Sequence, residues 1–238
     1  MIRPLISMEL RGMRLYKTFL LVNLFVMPFS LLFMMVMNSG ARTPEDISYL
    51  VSGFIVVSLV SSFIGTLTHR VSNIFEPSVL ELYSTLPPQI PKVVLAQFLT
   101  YSLLTLPQVV VGLALIAYYL GLNVINFPLL ILAVSLAYIE LGALAVAIGA
   151  KISNPYKILA VTSILPWVLV VFSPAYYRST SPVLYLNPVT HIISCLRSAI
   201  GLQRMALTPW IVSIVLTMIF LIFAFRNLRS SYMLEKPF

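Results

Sequence analysis

Long apolar runs separated by short polar segments make up most of the chain. An α-helix of about 20 residues crosses the roughly 30 Å hydrocarbon core of a bilayer, and several uncharged runs reach that length. The pattern predicts an all-α integral membrane protein with a single domain over residues 1–238 and six transmembrane helices. The predicted spans lie near residues 18–37, 47–68, 93–120, 127–150, 158–177 and 205–225.

The stretch 93–139 contains no charged residue and is too long for one crossing. Within or just beside it lie Gly121, Asn123, Asn126 and Pro128, residue types that are frequent in turns. These positions predict that the stretch forms two helices separated by a turn, rather than one.

The first apolar run follows four basic residues, which is also the charge pattern of a signal peptide. The apolar core of a signal peptide is about 7–15 residues long, shorter than the run 18–37. The length therefore favours a retained helix, although Ser39-Gly40-Ala41 resembles a cleavage site.

Residues 1–17, before the first run, form an amphipathic pattern, with Arg3, Arg11 and Arg14 on one helical face and apolar residues on the other. This pattern predicts a helix that lies in the membrane interface and contacts lipid. Glu9 falls on the apolar face, where a charge costs free energy unless it has a partner. It is a candidate contact with another protein.

Composition supports a membrane protein, because 60% of the residues are hydrophobic and 9% are charged, against about 25% charged in a typical soluble domain. The excess of 15 Lys and Arg over 7 Asp and Glu lies between apolar runs, where basic residues set orientation; nucleic acid is not an expected partner. One cysteine excludes an internal disulfide, and the two histidines are 122 positions apart, so no metal site is predicted.

Basic residues accumulate in cytoplasmic segments, so their distribution predicts which side each loop faces. With an even number of spans both termini lie on the same side. If that side is the cytoplasm, eleven basic residues lie inside, namely Arg3, Arg11, Arg14, Lys17, Arg70, Lys92, Lys151, Lys157, Arg226, Arg229 and Lys236. The remaining four lie outside, so the sequence predicts a multi-pass protein of the plasma membrane with both termini cytoplasmic.

The predicted inner loop, 69–92, contains Pro77 at a helix-start position and the pair Pro87-Pro88 at a helix end. The intervening residues 77–86 predict a short amphipathic helix. Two interpretations stay open: a helix that rests among lipid headgroups, or a docking element for a cytoplasmic partner. The candidate contact residues are Glu76, Ser78, Glu81, Leu82, Thr85 and Leu86.

The predicted outer loop, 176–207, contains Asn187 followed by Pro188, a helix-start signal. The helix that follows, 189–202, is too short and too polar for a full crossing and carries Arg197. It is predicted to dip into the outer leaflet or lie along it, shaping the outer mouth of the bundle or contacting substrate.

Glu140 is the ionisable residue deepest in a predicted span, where such groups normally face the bundle interior. It is a candidate for binding a cation or relaying protons, or for a neutral, hydrogen-bonded structural role. The small residues after it, from Gly142 to Ala150, permit close helix packing.

No Gly in the sequence is followed by Lys, so a phosphate-binding loop of the GxxxxGK[ST] type is absent. His-Glu-x-x-His and Gly-x-Ser-x-Gly are absent too. The chain is therefore not expected to be an enzyme, to hydrolyse ATP itself or to bind a cofactor directly, and no catalytic residue is assigned.

The arrangement resembles the permease subunits of ABC type-2 exporters over nearly the whole chain. The sequence Ser78-Val79-Leu80-Glu81-Leu82, followed by Thr85-Leu86-Pro87, is similar to the family pattern Gly-Thr-x-Glu-x-Leu and Thr-Pro, although Ser78-Val79 departs from Gly-Thr. The sequence Asn187-Pro188-Val189-Thr190 with Arg197 resembles its Asn-Pro-x-Thr and downstream Arg.

The resemblance implies that residues 76–86, the coupling segment, sit in a groove of a separate ATP-binding-cassette ATPase, which binds ATP and Mg²⁺. It also implies a second permease copy or close paralogue and an outer gate that includes Asn187, Pro188 and Arg197. The alternative is a self-powered secondary carrier or channel coupled through Glu140, and an integral-membrane enzyme comes third.

Overall fold

A computed structural model of the chain describes residues 2–12, 43–77, 79, 81, 89–152, 154–179 and 181–233, with isolated positions between 18 and 37 and side chains as far as Leu228. Within these residues the protein is all-helical and contains no strand. Its helices are α1 (Ile2–Gly12), α2 (Pro44–Ile74), α3 (Ile90–Leu120), α4 (Phe127–Lys151), α5 (Pro155–Val171), α6 (Pro188–Ala199) and α7 (Leu207–Met233).

Four of these helices are long and apolar enough to cross a membrane: α2 and α3 with 31 residues each, α4 with 25, and residues Leu207–Leu228 of α7 with 22. The all-α class is confirmed, and these helices suit a membrane protein. Helix α5 is apolar but only 17 residues long. Most of the predicted first span lies outside the described residues.

The predicted division of the stretch 93–139 is confirmed. Helix α3 ends at Leu120, and Gly121 takes a φ of +81°, a conformation that disfavours any residue with a Cβ. A 3₁₀ turn, Leu122–Val124, follows. The side chain of Asn126 then caps α4 by accepting a hydrogen bond from the Leu129 amide at 3.2 Å.

Several helices begin or end at other residues than the predicted segments, and three of these differences have a local cause. Helix α5 ends at Val171, six residues early, because Pro174 lacks an amide hydrogen and disfavours helical geometry in the residue before it. Helix α7 continues to Met233, since Arg226 and Arg229 end the apolar run but favour helix. Helix α2 begins at Pro44, where Thr43 accepts from the Asp46 amide at 3.2 Å.

Helix α2 supplies most of the largest fully buried side chains among the described residues, including Phe54, Phe63, Ile64 and Leu67. Helices α3, α4, α5 and α6 all pack against it, and α7 packs along α4. Residues Ser61–Leu67 of α2 form a π-helical turn. Helix α1 lies on α3.

Helices α2 and α4 approach each other closely at Gly149. A Cβ at this position would lie 2.6 Å from the backbone oxygen of Thr68 and 2.9 Å from Cβ of Val71. On the same side, Ser72 Oγ donates a hydrogen bond to the carbonyl of Ile152 at the end of α4. The predicted close packing by the small residues of α4 is confirmed here.

Candidate functional site

Two polar clusters lie near opposite ends of α2. One surrounds Arg197 and includes Tyr49; the other surrounds Glu9 and includes Arg70. Tyr49 and Arg70 are 21 positions apart, which is about 31 Å along an α-helix and close to the thickness of a hydrocarbon core. The clusters are therefore spaced like the two faces of a bilayer.

Arg197 of α6 is only 3% exposed, and its guanidinium group donates four hydrogen bonds. Its Nε donates to Ser52 Oγ at 3.0 Å, and its Nη1 donates to the Pro174 carbonyl at 2.7 Å. Its Nη2 donates to the carbonyls of Ala175 at 2.9 Å and Tyr49 at 3.2 Å. We call this group of five residues the Arg197 clasp, because it joins α6, α2 and the segment after α5.

The charge of Arg197 is accommodated without a carboxylate among the described residues. The guanidinium carbon lies 3.4 Å from the centre of the Tyr49 ring, a cation–π geometry. Asp46, on the same turn of α2 as Tyr49, instead binds Arg178 at 2.7 Å. Burial lowers the pKa of Arg197 to about 10, so the group is still a cation at neutral pH.

Asn187 also forms hydrogen bonds to the end of α5. Its Oδ1 caps α6 by accepting from the Val189 amide at 3.0 Å, and its Nδ2 donates to the carbonyls of Leu169 at 2.7 Å and Phe172 at 2.8 Å. The Tyr49 hydroxyl lies 2.8 Å from the Tyr177 carbonyl. Side chains of α2 and α6 thus satisfy carbonyls that the end of α5 leaves without helical partners.

The structure brings together the residues predicted for an outer gate. Asn187 and Pro188 begin α6 as predicted, and Asn187 and Arg197 both bind the last carbonyls of α5 or those just after it. Helix α6 is buried along its length, so it packs inside the bundle rather than along a surface. The sequence pattern missed Tyr49 and Ser52, since nothing in an apolar run indicates a partner 145 or more residues away.

Glu9 is 3% exposed, and the chain itself supplies the partner that the sequence requires. Arg70 of α2 donates from Nη2 and Nε to Glu9 Oε2 at 3.2 and 3.3 Å, and Gln97 of α3 donates from Nε2 to Oε1 at 3.0 Å. A role for Glu9 in contacting an ATPase stays a prediction, and any such contact involves a side chain already held by two helices.

The coupling segment follows α2 directly. Glu76 and Glu81 are exposed, residues 77, 79 and 81 are helical, and the Val79 amide donates to the Glu76 carbonyl at 3.0 Å. Four of the predicted contact residues lie outside the described residues, namely Ser78, Leu82, Thr85 and Leu86. The two acidic side chains of the coupling segment that the structure describes, Glu76 and Glu81, thus lie at the protein surface beside this end of α2.

Glu140 of α4 is fully buried where α4 meets α6 and α7. Ser213 and Thr217 of α7 and Cys195 of α6 lie around its carboxyl group. Neither carboxyl oxygen makes a hydrogen bond of normal geometry to a described residue, and Ser213 Oγ lacks a partner too. Buried polar groups in folded proteins nearly always have a hydrogen-bond partner, so the absence of one at Glu140 requires a physical explanation.

The described residues contain no group of three or more His, Cys, Asp or Glu side chains suited to a metal ion. His191 lies on α6, where its Nε2 is 2.9 Å from the Tyr185 carbonyl, and His69 lies near the far end of α2. The two histidines are therefore far apart in the fold as well as in the sequence.

Comparison of the sequence with protein-family models gives no match, and no curated protein matches it.

Proposed function

We propose that the chain is the membrane-spanning permease subunit of an ATP-binding-cassette exporter, in which a separate ATPase supplies the energy. The sequence patterns of the coupling segment and of Asn187 with Arg197 support this proposal. The coupling segment directly follows α2, and Arg197 binds Ser52 and Tyr49 near the opposite end of this helix, which supports the proposal. This linkage by α2 is the observation that carries the proposal.

In the proposed mechanism, ATPase closure presses on the coupling segment and tilts spans one, two and five around a central seam. Helix α2 is continuous from Pro44 to Ile74, so a tilt at its Arg70 end moves its Tyr49 end. Tyr49 and Ser52 bind Arg197, and Arg197 binds the segment after α5. A displacement of α2 therefore shifts α6 and the end of α5 together.

The proposal includes finer features of topology and assembly. These are six spans in the plasma membrane with both termini cytoplasmic, an interfacial α1, a coupling helix, a re-entrant α6 and a second permease copy. ATP and Mg²⁺ bind the partner ATPase. The four long apolar helices and the buried α6 fit this arrangement.

Reconstitution with an ATPase encoded in a neighbouring reading frame tests the proposal. We expect the two chains to co-purify and the complex to hydrolyse ATP and transport substrate. Glu81→Lys reverses the charge of an exposed side chain in the coupling segment and is expected to reduce hydrolysis stimulated by the permease at least tenfold. Glu45→Lys, an exposed residue at the opposite end of α2, is the matched control and should leave stimulation unchanged.

The second candidate is a self-powered carrier or channel coupled through Glu140. The buried carboxyl group of Glu140, with no hydrogen-bond partner among the described residues, is the observation that favours it. Uphill transport by the purified chain alone in ion-loaded vesicles, abolished by Glu140→Gln, would support this candidate and reject the exporter. ATP-dependent transport that persists in Glu140→Gln would support the exporter.

A further inference from the structure

The junction of α4, α6 and α7 is the one place in the described bundle where a fully buried carboxyl group faces hydroxyl and thiol groups without a hydrogen bond of normal geometry to them. Glu140 and Ser213 are both 0% exposed, and Cys195 is 1% exposed. Both carboxyl oxygens of Glu140 and the hydroxyl oxygen of Ser213 lack a hydrogen bond of normal geometry to any residue that the structure describes. Three unsatisfied polar atoms at one junction indicate a site that binds something small and polar.

The charges around the junction argue against an ionised, permanently paired carboxylate. Among the described residues, the titratable group that faces Glu140 is Cys195 of α6. Arg197, on the same helix as Cys195, is held in its clasp, and Arg70, at the end of α2, is bound to Glu9. A buried carboxylate without a cation costs several kcal/mol, so such a group takes up a proton instead.

The basic residues of the remaining neighbours lie away from Glu140. Lys151 is 11 positions along α4, about 16 Å, and is exposed. Arg226 is exposed on α7, next to Asn227, whose side chain bonds to the Ala147 carbonyl near that same end of α4. On α3, Lys92 is exposed near the beginning of the helix. Helix α3 also carries Tyr101, and it meets α4 through the hydrogen bond between Thr105 and Tyr138.

The oxygen count argues against a divalent metal cation such as Ca²⁺. Ca²⁺ sites use about six to eight oxygen ligands. The junction offers the two carboxyl oxygens of Glu140 and the hydroxyls of Ser213 and Thr217, and the Thr217 hydroxyl already donates to the Ser213 carbonyl at 2.7 Å. A proton needs no such shell.

We propose that Glu140, with Ser213 and Thr217, forms a proton-binding site at the α4–α6–α7 junction. A carboxylate oxygen of Glu140 forms an O–H bond with a proton from a hydronium ion, whose own O–H bond breaks to leave water; in the reverse step the proton passes to a water molecule and hydronium forms again. Ser213 donates to the carboxyl group in either state, and Thr217 offers a lone pair to the acid proton. The site does not depend on whether transport is driven by ATP.

Infrared spectroscopy of the purified chain in a detergent free of ester groups tests this site without an ATPase. We expect a carbonyl band of a protonated carboxylic acid at pH 7 that shifts in D₂O, decreases as the pH is raised and recovers when it is lowered. Glu140→Gln should lose this band completely. Glu45→Gln, which changes an exposed carboxyl group, should retain it.

Ser213→Ala keeps Glu140 and removes its proposed donor, so it should keep the band but shift its frequency. If Glu140→Gln does not fold, the frequency of the band in Ser213→Ala provides the test. The proposal is overturned by absence of the band in the unmodified chain, by its persistence in Glu140→Gln, by an unchanged frequency in Ser213→Ala, or by a band that responds to neither D₂O nor pH. Failure of the exporter proposal would change none of these spectra.

Discussion

At the scale of single residues, Arg197 and Glu9 show two ways in which a buried charge is satisfied. Arg197 binds three carbonyls, a hydroxyl and an aromatic ring, whereas Glu9 binds the side chains of Arg70 and Gln97. In each case the partners come from two other parts of the chain. Loss of either residue is therefore expected to loosen several elements at once.

Arg197→Ala is expected to destabilise the protein by about 3 kcal/mol or more, because buried carbonyls of the clasp lose their donors. Arg197→Lys should fall between Arg197→Ala and the unmodified chain, since an ammonium group cannot reproduce the planar fork of a guanidinium. Thermal unfolding of the purified chain in detergent measures the order.

Arg178→Ala is the matched control for Arg197, because the Arg178 side chain is 67% exposed and contacts the same Tyr49 ring from 5.2 Å. Its change should stay within about 0.5 kcal/mol. Equal effects of the two alanine variants would contradict the role assigned to the clasp.

Glu9→Gln removes the negative charge that Arg70 contacts while keeping the size of the side chain. The pair is partly screened, since the Arg70 side chain is 30% exposed, so a loss of about 1 kcal/mol is expected. Amide hydrogen exchange in residues 2–12 should then accelerate about fivefold. Unchanged exchange in α1, or equal acceleration by Glu45→Gln, would show that the ion pair does not hold α1.

The sequence identified Glu9, Asn187 and Arg197 because a charge on an apolar face and an Asn-Pro pair are local features. It did not identify Gln97, Tyr49 or Ser52 as their partners. Those residues are ordinary members of apolar helices, and their importance arises only when helices distant in sequence pack together.

At the scale of helices, glycine, asparagine and proline positions predict the helix boundaries best. Gly121 and Asn126 divide α3 from α4 as predicted, and Pro188 begins α6. Helices α5 and α7 end at other residues than the predicted spans, because an apolar run reflects the environment that a segment prefers and not the residue at which its backbone leaves helical geometry. The coupling helix stays a prediction, since most of residues 77–86 lie outside the part of the chain that the structure describes.

Gly149→Ala is expected to cost about 1–3 kcal/mol, because the new Cβ would press on the backbone of α2 at Thr68 and separate α2 from α4. Gly65→Ala is the control, since a Cβ there meets Pro166 Cγ at an ordinary 3.9 Å. Thermal unfolding compares the two. A larger effect for Gly65→Ala would mean that the close approach at Gly149 is not tightly packed.

At the scale of the whole molecule, a helix as long as α2 predicts that Glu45 and Glu76 face opposite sides of the membrane. In a Cys195→Ala background, we expect a membrane-impermeant maleimide to label Glu45→Cys in intact cells and Glu76→Cys only in inverted vesicles. Cys195 is buried, so unmodified protein is the negative control. Labelling of both positions from one side would reject the proposed topology.

The short length of α5 also affects the surrounding lipid. Seventeen residues span about 26 Å, less than the roughly 30 Å of a typical hydrocarbon core, and such a hydrophobic mismatch normally thins the bilayer. In the proposed six-span arrangement, the non-helical residues 172–177 extend α5 across the membrane. Arg197, Asn187 and Tyr49 donate hydrogen bonds to carbonyls of this extension. Loss of these bonds would leave backbone carbonyls without hydrogen-bond donors at the depth of the bilayer, so a protein without them should tolerate only thin membranes.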